Sequence, residues 1–420
     1  MRRRLAAGAI GVVTATFLAC SAGGGGTKTE NTVNSGGAGG VGAGAGAGGQ
    51  GLGVGGGSGS GIDLDSGNNS DAPACQQLTV VFEPRIPTVF VLVDRSGTMF
   101  DVSGGTNAWD PLRNAVLQVI EQLQHEVRFG FGAFTGEIGQ QCPIFDKVDP
   151  ALDNHGAIQT LYTSLGKPSK GETPTTMALP LARDILLADQ GNGGKFILFV
   201  TDGEPDYCSD GDDVCPVDSV VHYLQDLYTQ QIGTLVLGLT TTGQPVPAGG
   251  LEAWANAGRG QPVAIFSVRG NPSQILTPIQ IFYNCQNKAP WMADFNALGR
   301  NQQTNPTLGQ YSSPGGNAPV YKPTGLDQTA LATEISRALQ QTKSCTFDLQ
   351  GRIKVKLEQQ QQGRVIIDGT GVPFDPMSGW HMVSDTQLVL EGSACARWQD
   401  PMSKVIDIKF PCEVLIPPPQ

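Results

Sequence analysis

The sequence predicts an α/β protein: a doubly wound, mainly parallel sheet flanked by helices, with a small C-terminal β module. Two runs, Val89-Phe90-Val91-Leu92-Val93 and Phe196-Ile197-Leu198-Phe199-Val200, are apolar on both faces and stop abruptly at Asp94 and at Thr201-Asp202. Short apolar runs of this kind are buried central strands of a parallel sheet. Segments with helical periodicity alternate with strand-like ones through the middle of the chain, the pattern of a doubly wound sheet. Beyond Cys345 the periodicity falls to two.

The chain opens with Met1-Arg2-Arg3-Arg4, an apolar stretch from Leu5 to Ala19, and Cys20. A basic start and a short apolar core are the parts of a secretory signal peptide. The core is too short to span a bilayer. Phe17-Leu18-Ala19-Cys20 resembles the lipobox of bacterial lipoproteins, with Phe17 where Leu is usual. The resemblance implies a signal peptide over 1–20 and a lipid anchor on Cys20, the chain's contact with the membrane. Cleavage as an ordinary signal peptide is the alternative. Ser21 stands where Asp would retain a lipoprotein at the inner membrane. That implies an exported protein of the bacterial envelope, on the outer membrane, facing the periplasm or the surface. Residues 21–74 read as a tether, because the glycine-dominated stretch from Gly23 to Gly61 cannot bury enough apolar surface to fold. As a flexible coil it would span on the order of 40 Å.

The main domain is expected over 75–344. Leu112, Val116, Val119 and Leu123 repeat at helical spacing, giving a helix over about 109–126, with Pro111 in its first turn. Val127 to Thr135 reads as a strand, about 151–165 as a helix, and Thr175 to Ala188 as a helix. Val217 to Gln230 is helical, and Ile232 to Leu239 is a further strand. The pattern then loosens. Leu251 to Arg259 reads as a short helix, and 260–323, rich in Gly, Pro, Asn and Gln, as an insertion. Phe295 to Arg300 echoes Trp254 to Arg259 and is expected as a late helix. Leu331, Ile335 and Leu339 mark a final helix over about 326–342. From 345 to 420, alternation around Ile353-Val355-Leu357, Val365-Ile367, Leu388-Leu390 and Ile406-Ile408-Phe410 predicts a small β module. The Gln359 to Gln362 run reads as a hairpin loop within it.

Charge and cysteines narrow the function. A formal charge of −11 disfavours nucleic acid and anionic membrane surfaces as partners. Of nine cysteines, Cys20 set aside leaves an even number, which in an exported chain reads as disulfides. No Cys-x-x-Cys pair exists and the four histidines are scattered, which argues against zinc. Cys208 and Cys215 are expected to pair around the acidic residues Asp210, Asp212 and Asp213. Cys395 and Cys412 flank the last strands and are candidates to staple them. The remaining pairings stay open.

In open α/β sheets, ligands bind beyond the carboxyl ends of the strands. There Asp94, Ser96 and Thr98 offer hard oxygen donors, suited to Mg²⁺ or Mn²⁺ rather than zinc. Gly171-Glu172-Thr173 reads as a loop feeding a helix, and Thr201-Asp202-Gly203 closes the second strand. Each piece alone is commonplace as a helix cap or a turn. Taken in order, Asp-x-Ser-x-Thr, Gly-x-Thr and Thr-Asp-Gly resemble the von Willebrand factor type A family and its metal-ion-dependent adhesion site, over about 88–343. The resemblance implies that Asp94, Ser96, Thr98, Thr173 and Asp202 hold Mg²⁺, with Mn²⁺ or Ca²⁺ as alternatives; Thr98 stands where the family often has Ser. It also implies a non-enzymatic module for adhesion or scaffolding, which captures a carboxylate of a protein partner. The motifs contain no nucleophile beside a positioned base. A Mg²⁺-dependent phosphohydrolase is one alternative, since Asp94 at a strand end followed by Gly97-Thr98 loosely resembles the haloacid-dehalogenase phosphatases; that resemblance implies a second acid two residues after Asp94, where Ser96 stands. A purely structural surface protein is the other.

Overall fold

The computed structural model describes residues 13–20, 75–101, 107–137, 139, 141–169, 171–208, 214–239, 246, 248–268, 271–349, 354–400 and 405–416. The start of the expected leader, the 21–74 tether and the acidic residues 209–213 lie outside the described residues.

Strands β1 (Val13–Cys20) and β2 (Cys75–Pro84) pair antiparallel, with Cys20 opposite Cys75. The α/β unit follows. Its strands are β3 (Thr88–Asp94), β4 (Arg128–Thr135), β5 (Ile144–Ala151), β6 (Lys195–Thr201) and β7 (Ile232–Gly238). Helices α1 (Trp109–Leu123), α2 (His155–Ser164), α3 (Thr175–Ala188), α4 (Val214–Thr229) and α5 (Gly250–Ala257) accompany them. Next come the short strands β8 (Ser267–Val268) and β9 (Asn271–Ile275) and the helices α6 (Pro278–Cys285) and α7 (Ala289–Ala297). Strand β10 (Val320–Tyr321) and helix α8 (Gln328–Gln340) close the unit. The central sheet runs β10-β7-β6-β3-β4-β5, parallel except for β5.

The unbroken apolar runs arise because both faces of this sheet are covered. Val89, Val91 and Val93 pack with Leu112, Val116 and Val119 of α1 and Leu331 and Ile335 of α8. Phe90 and Leu92 face the other way, against Leu179 and Ala182 of α3 and Val217 and Val220 of α4. Each such side chain is fully buried and contributes about 1.5–3 kcal/mol. Gly130 and Gly132 of β4 leave room for the Phe90 ring: a Cβ on either would lie 2.7 Å from it. From β3 the chain passes to β4 on one side, and later returns to β6 on the other. The winding therefore reverses between β3 and β6, opening a crevice at their carboxyl ends.

Several elements differ from expectation. Strand β5 occupies a stretch whose apolar pattern is broken by Asp146, Lys147, Asp149 and Pro150. It is an edge strand, where charge and proline are tolerated. Helix α2 starts only at His155, because β5 takes the residues before it. The 260–323 stretch is not loose: it carries α6 and α7, and α7 ends at Ala297, so Phe295 to Arg300 straddles a helix end rather than forming a helix. Asp218 of α4 anchors this region. Its buried carboxylate accepts from Trp291 Nε1 (2.8 Å), Leu308 N (2.9 Å), Gly309 N (3.2 Å) and the Tyr311 hydroxyl (2.7 Å).

The C-terminal module has its own core, centred on Phe347, Trp380, Leu388 and Trp398. Its strands are β11 (Thr346–Leu349), β12 (Lys354–Val355), β13 (Arg364–Ile367), β14 (Thr370–Val372), β15 (Trp380–Ser384), β16 (Gln387–Leu390), β17 (Ile406–Lys409) and β18 (Leu415–Ile416), with helix α9 (Gly392–Trp398) between β16 and β17. The alternating segments at 365–367, 388–390 and 406–409 are strands. The glutamine run belongs instead to a 3₁₀ helix, Leu357–Gln362. The main sheet of the module runs β1-β2-β11-β16-β15. Residues 75–84 thus pair with β11 and not with the α/β unit. The bidentate Arg85–Asp348 ion pair, 2.6 Å at its shorter contact, fastens that junction. The α/β unit is inserted into the β module rather than preceding it.

The cysteine pairings also differ. The structure joins Cys142 to Cys208, Cys215 to Cys285, and Cys345 to Cys395. Cys208 and Cys215 do not pair with each other, because Cys215 lies in the first turn of α4 and faces the end of α6. Cys395 does not pair with Cys412, because α9 sets it beside the start of β11. Among the described residues no helix is long and apolar enough to cross a membrane.

Candidate metal centre

Asp94 is the last residue of β3, and its side chain is fully buried in the crevice. The chain then turns, and the Ser96 amide donates back to Asp94 Oδ1 at 2.7 Å. This turn starts a short 3₁₀ helix over Gly97–Phe100. It brings the Ser96 and Thr98 hydroxyls within 3.0 Å of one another. Thr98 Oγ1 donates to Asp202 Oδ1 at 3.0 Å. Across the crevice, the Thr201 hydroxyl donates to Asp94 Oδ2 at 2.7 Å. Asp94, Ser96, Thr98 and Asp202 are thereby joined in one network spanning the ends of β3 and β6.

Thr173 enters differently. It is buried, on the loop before α3, and that loop packs directly on the 96–98 turn. The Gly97 amide donates to Gly171 O at 3.0 Å. A Cβ on Gly171 would collide with the Gly97 amide nitrogen and lie 2.8 Å from the Ser96 carbonyl carbon. Only glycine allows this approach. The Thr173 amide donates to Asp206 Oδ2 at 2.6 Å, and the Asp206 amide to Thr173 O at 2.9 Å.

Burial pushes the Asp94 carboxyl up to about 7, and the nearby Asp202 carboxylate adds to the effect; the Thr201 and Ser96 donors only partly oppose it. Arg95, the next residue, turns away and pairs with Asp146 at 3.2 Å. Two carboxylates held together in a buried site repel one another unless protonated or bridged by a cation. The network offers two carboxylates and the Ser96 and Thr98 hydroxyls, all hard oxygen of the kind that suits Mg²⁺ or Mn²⁺; Thr173 adjoins it through the backbone of its loop. Among the described residues no group of three or more His, Cys, Asp or Glu side chains is placed to hold a metal ion, here or elsewhere.

Residues 89–204 match the family model of the von Willebrand factor type A (vWA) domain. The match supports the vWA family for this segment, which runs from β3 through both carboxylates of the network. No curated protein matches the chain. Among solved structures, the conserved hypothetical protein BatB from Bacteroides thetaiotaomicron aligns at 20% identity, covering 38% of this chain and 71% of that one, with a TM-score of 0.29. The pilus adhesin SpaC from Lactobacillus rhamnosus GG aligns at 15% identity, over 75% of this chain and 40% of that one, with a TM-score of 0.35. The manganese-loaded TRAP protein of Plasmodium vivax aligns at 15% identity, over 39% and 63%, with a TM-score of 0.29. Likeness at this level carries no functional inference.

Three residues around this network escape a reading of the motifs alone. Thr201 stands in the Thr-Asp-Gly motif, yet its side chain serves Asp94 rather than the Asp202 beside it. Gly171 is visible as a motif glycine, but the collision it avoids is with a turn 74 positions earlier in the chain. Asp206 has no signal in the sequence.

Proposed function

We propose that the vWA segment is a divalent-metal-dependent protein-binding module, whose centre is formed by Asp94, Ser96, Thr98, Thr173 and Asp202. The observation that carries this reading is the network joining two mutually repelling buried carboxylates and two hydroxyls at the reversal of the sheet. A divalent cation bound there, with hydroxyls filling part of its shell, would keep an open position able to take an acidic side chain of a partner. The chain's own groups supply the rest. Asp94 and Asp202 provide the negative charge, Ser96 and Thr98 share their hydroxyl protons within the network, and Thr201 orients Asp94. No nucleophile–base pair belongs to this set, so the reading is of a binder rather than an enzyme. Mg²⁺ is the proposed ion.

The disulfides Cys142–Cys208, Cys215–Cys285 and Cys345–Cys395 support folding in an oxidising compartment. We place the protein in a bacterial envelope, anchored through lipid on Cys20 and held off the outer membrane by the 21–74 tether. Processing at Cys20 would remove Val13 to Ala19 of β1 and leave the outer edge of β2 open. The test is calorimetric titration of the purified protein with Mn²⁺ and Mg²⁺. The wild type should bind one ion and Asp94→Ala none, with circular dichroism unchanged. Absence of binding by the wild type overturns the reading.

A further inference from the structure

Thr173 stands apart from the other residues of the centre, which are held by their own side chains. Its loop is fastened at Gly171 by the Gly97 amide (3.0 Å) and at Glu172 O by the Thr135 hydroxyl (3.2 Å). At Thr173 itself, the Thr175 amide (2.7 Å) and hydroxyl (3.5 Å) both donate to the carbonyl, while Asp206 takes hold of the carbonyl and the amide together. The Thr173 amide donates to the Asp206 carboxylate (2.6 Å), and the Thr173 carbonyl accepts from the Asp206 amide (2.9 Å). The second carboxylate oxygen accepts from the Cys208 amide (2.7 Å). Cys208 adopts a left-handed φ of 62°, uncommon outside glycine. It is tied covalently to Cys142, at the far end of the loop that follows β4. A cross-link, a carboxylate and the backbone of Thr173 thus form one chain of contacts. Amide-to-carboxylate bonds are about twice as strong as neutral ones.

We propose that Asp206 is a positioning residue of this centre, which sets the Thr173 hydroxyl toward the ion, and that the Cys142–Cys208 disulfide holds Asp206 in turn. This rests on the metal-centre reading above. Residues that orient a ligand from outside the coordination sphere cost 10–100-fold in metal affinity when removed. Asp206→Ala should therefore weaken Mn²⁺ about tenfold or more. The Cys142→Ser/Cys208→Ser pair should weaken it in the same direction, by less.

A double-mutant cycle separates positioning from general damage. Mn²⁺ affinity is measured calorimetrically for the wild type, Asp206→Ala, Thr173→Ala and the double variant. In chelator, hydrogen exchange of the Thr173 amide is followed in the wild type, Asp206→Ala and Asp206→Asn. The expected result is a loss in Asp206→Ala that vanishes when Thr173 is already Ala. Thr173 amide exchange should be fastest in Asp206→Ala and intermediate in Asp206→Asn. An equal loss in both backgrounds overturns the inference, as does unchanged affinity in Asp206→Ala. Failure of the wild type to bind Mn²⁺ overturns the metal-centre reading instead, and is recognised separately because amide protection is read without metal. Should Asp206→Ala not fold, the Asp206→Asn cycle decides by the same criteria.

Discussion

Replacing Asp94 by Asn should stabilise the metal-free protein above neutral pH while abolishing metal binding. In the fold, the Asp94 carboxyl rises from 3.8 to about 7 through burial and the charge of Asp202. A carboxyl raised above its unfolded value favours the protonated folded state. Its stabilising contribution is complete below about pH 4 and is lost as pH climbs through about 7. The full loss corresponds to roughly 4 kcal/mol, at about 1.4 kcal/mol per pH unit. Even half of it would move the melting temperature of a domain this size by about 4–8 °C. Asn cannot ionise, still accepts from the Ser96 amide, and can donate to the Thr201 hydroxyl, which then accepts. Thermal melts in chelator from pH 4 to 8 should show Asp94→Asn gaining on the wild type as pH rises. Millimolar Mg²⁺ should then stabilise only the wild type. A pH-independent difference, or an Asn variant that is weaker at pH 8 in chelator, would refute this account of the buried carboxylate pair.

Other perturbations test the surrounding scaffold. Gly171→Ala should cost at least about 2 kcal/mol in urea denaturation and also impair Mn²⁺ binding, because its Cβ strikes the backbone of the 96–98 turn. Opening Cys215–Cys285, whose partners are 70 residues apart, should cost about 4 kcal/mol by the loop-entropy relation; denaturation of the Cys215→Ser/Cys285→Ser variant measures it. Asp218→Ala leaves the donors of Trp291, Leu308, Gly309 and Tyr311 without their shared acceptor. It should destabilise by about 3–5 kcal/mol, and limited proteolysis should then cut within 298–312 first. Arg85→Ala, at a partly exposed ion pair, should cost only about 1 kcal/mol or less, seen as a small shift in the melt of the β module.

The strands that position the centre were legible because burial on two faces leaves a continuous apolar signature. Val89 to Val93 and Phe196 to Val200 show it, and the acid ending each run marks the crevice. Helices α1, α3, α4 and α8 were legible from their periodicity. Strand β5 was hidden by the charges and proline that an edge position tolerates. Helices α6 and α7 lay concealed in a polar, proline-bearing stretch: α6 is started by a capping box between Thr277 and Gln280, and α7 is held by Trp291 donating to the buried Asp218. For the disulfides, nearness in sequence is not nearness in space: α4 carries Cys215 away from Cys208 and toward Cys285.

By itself the sequence determined the α/β class, the strand ends and the oxygen donors that stand there, since these follow from local hydrophobic patterning and residue chemistry. Tertiary structure alone decided that β2 (Cys75–Pro84) joins the C-terminal sheet, that Thr201 serves Asp94, and that Asp206 grips Thr173. Each of these is a pairing between distant segments. Backbone hydrogen bonds and side-chain contacts of that kind depend on how the chain is wound, and winding leaves no trace in the residues on either side.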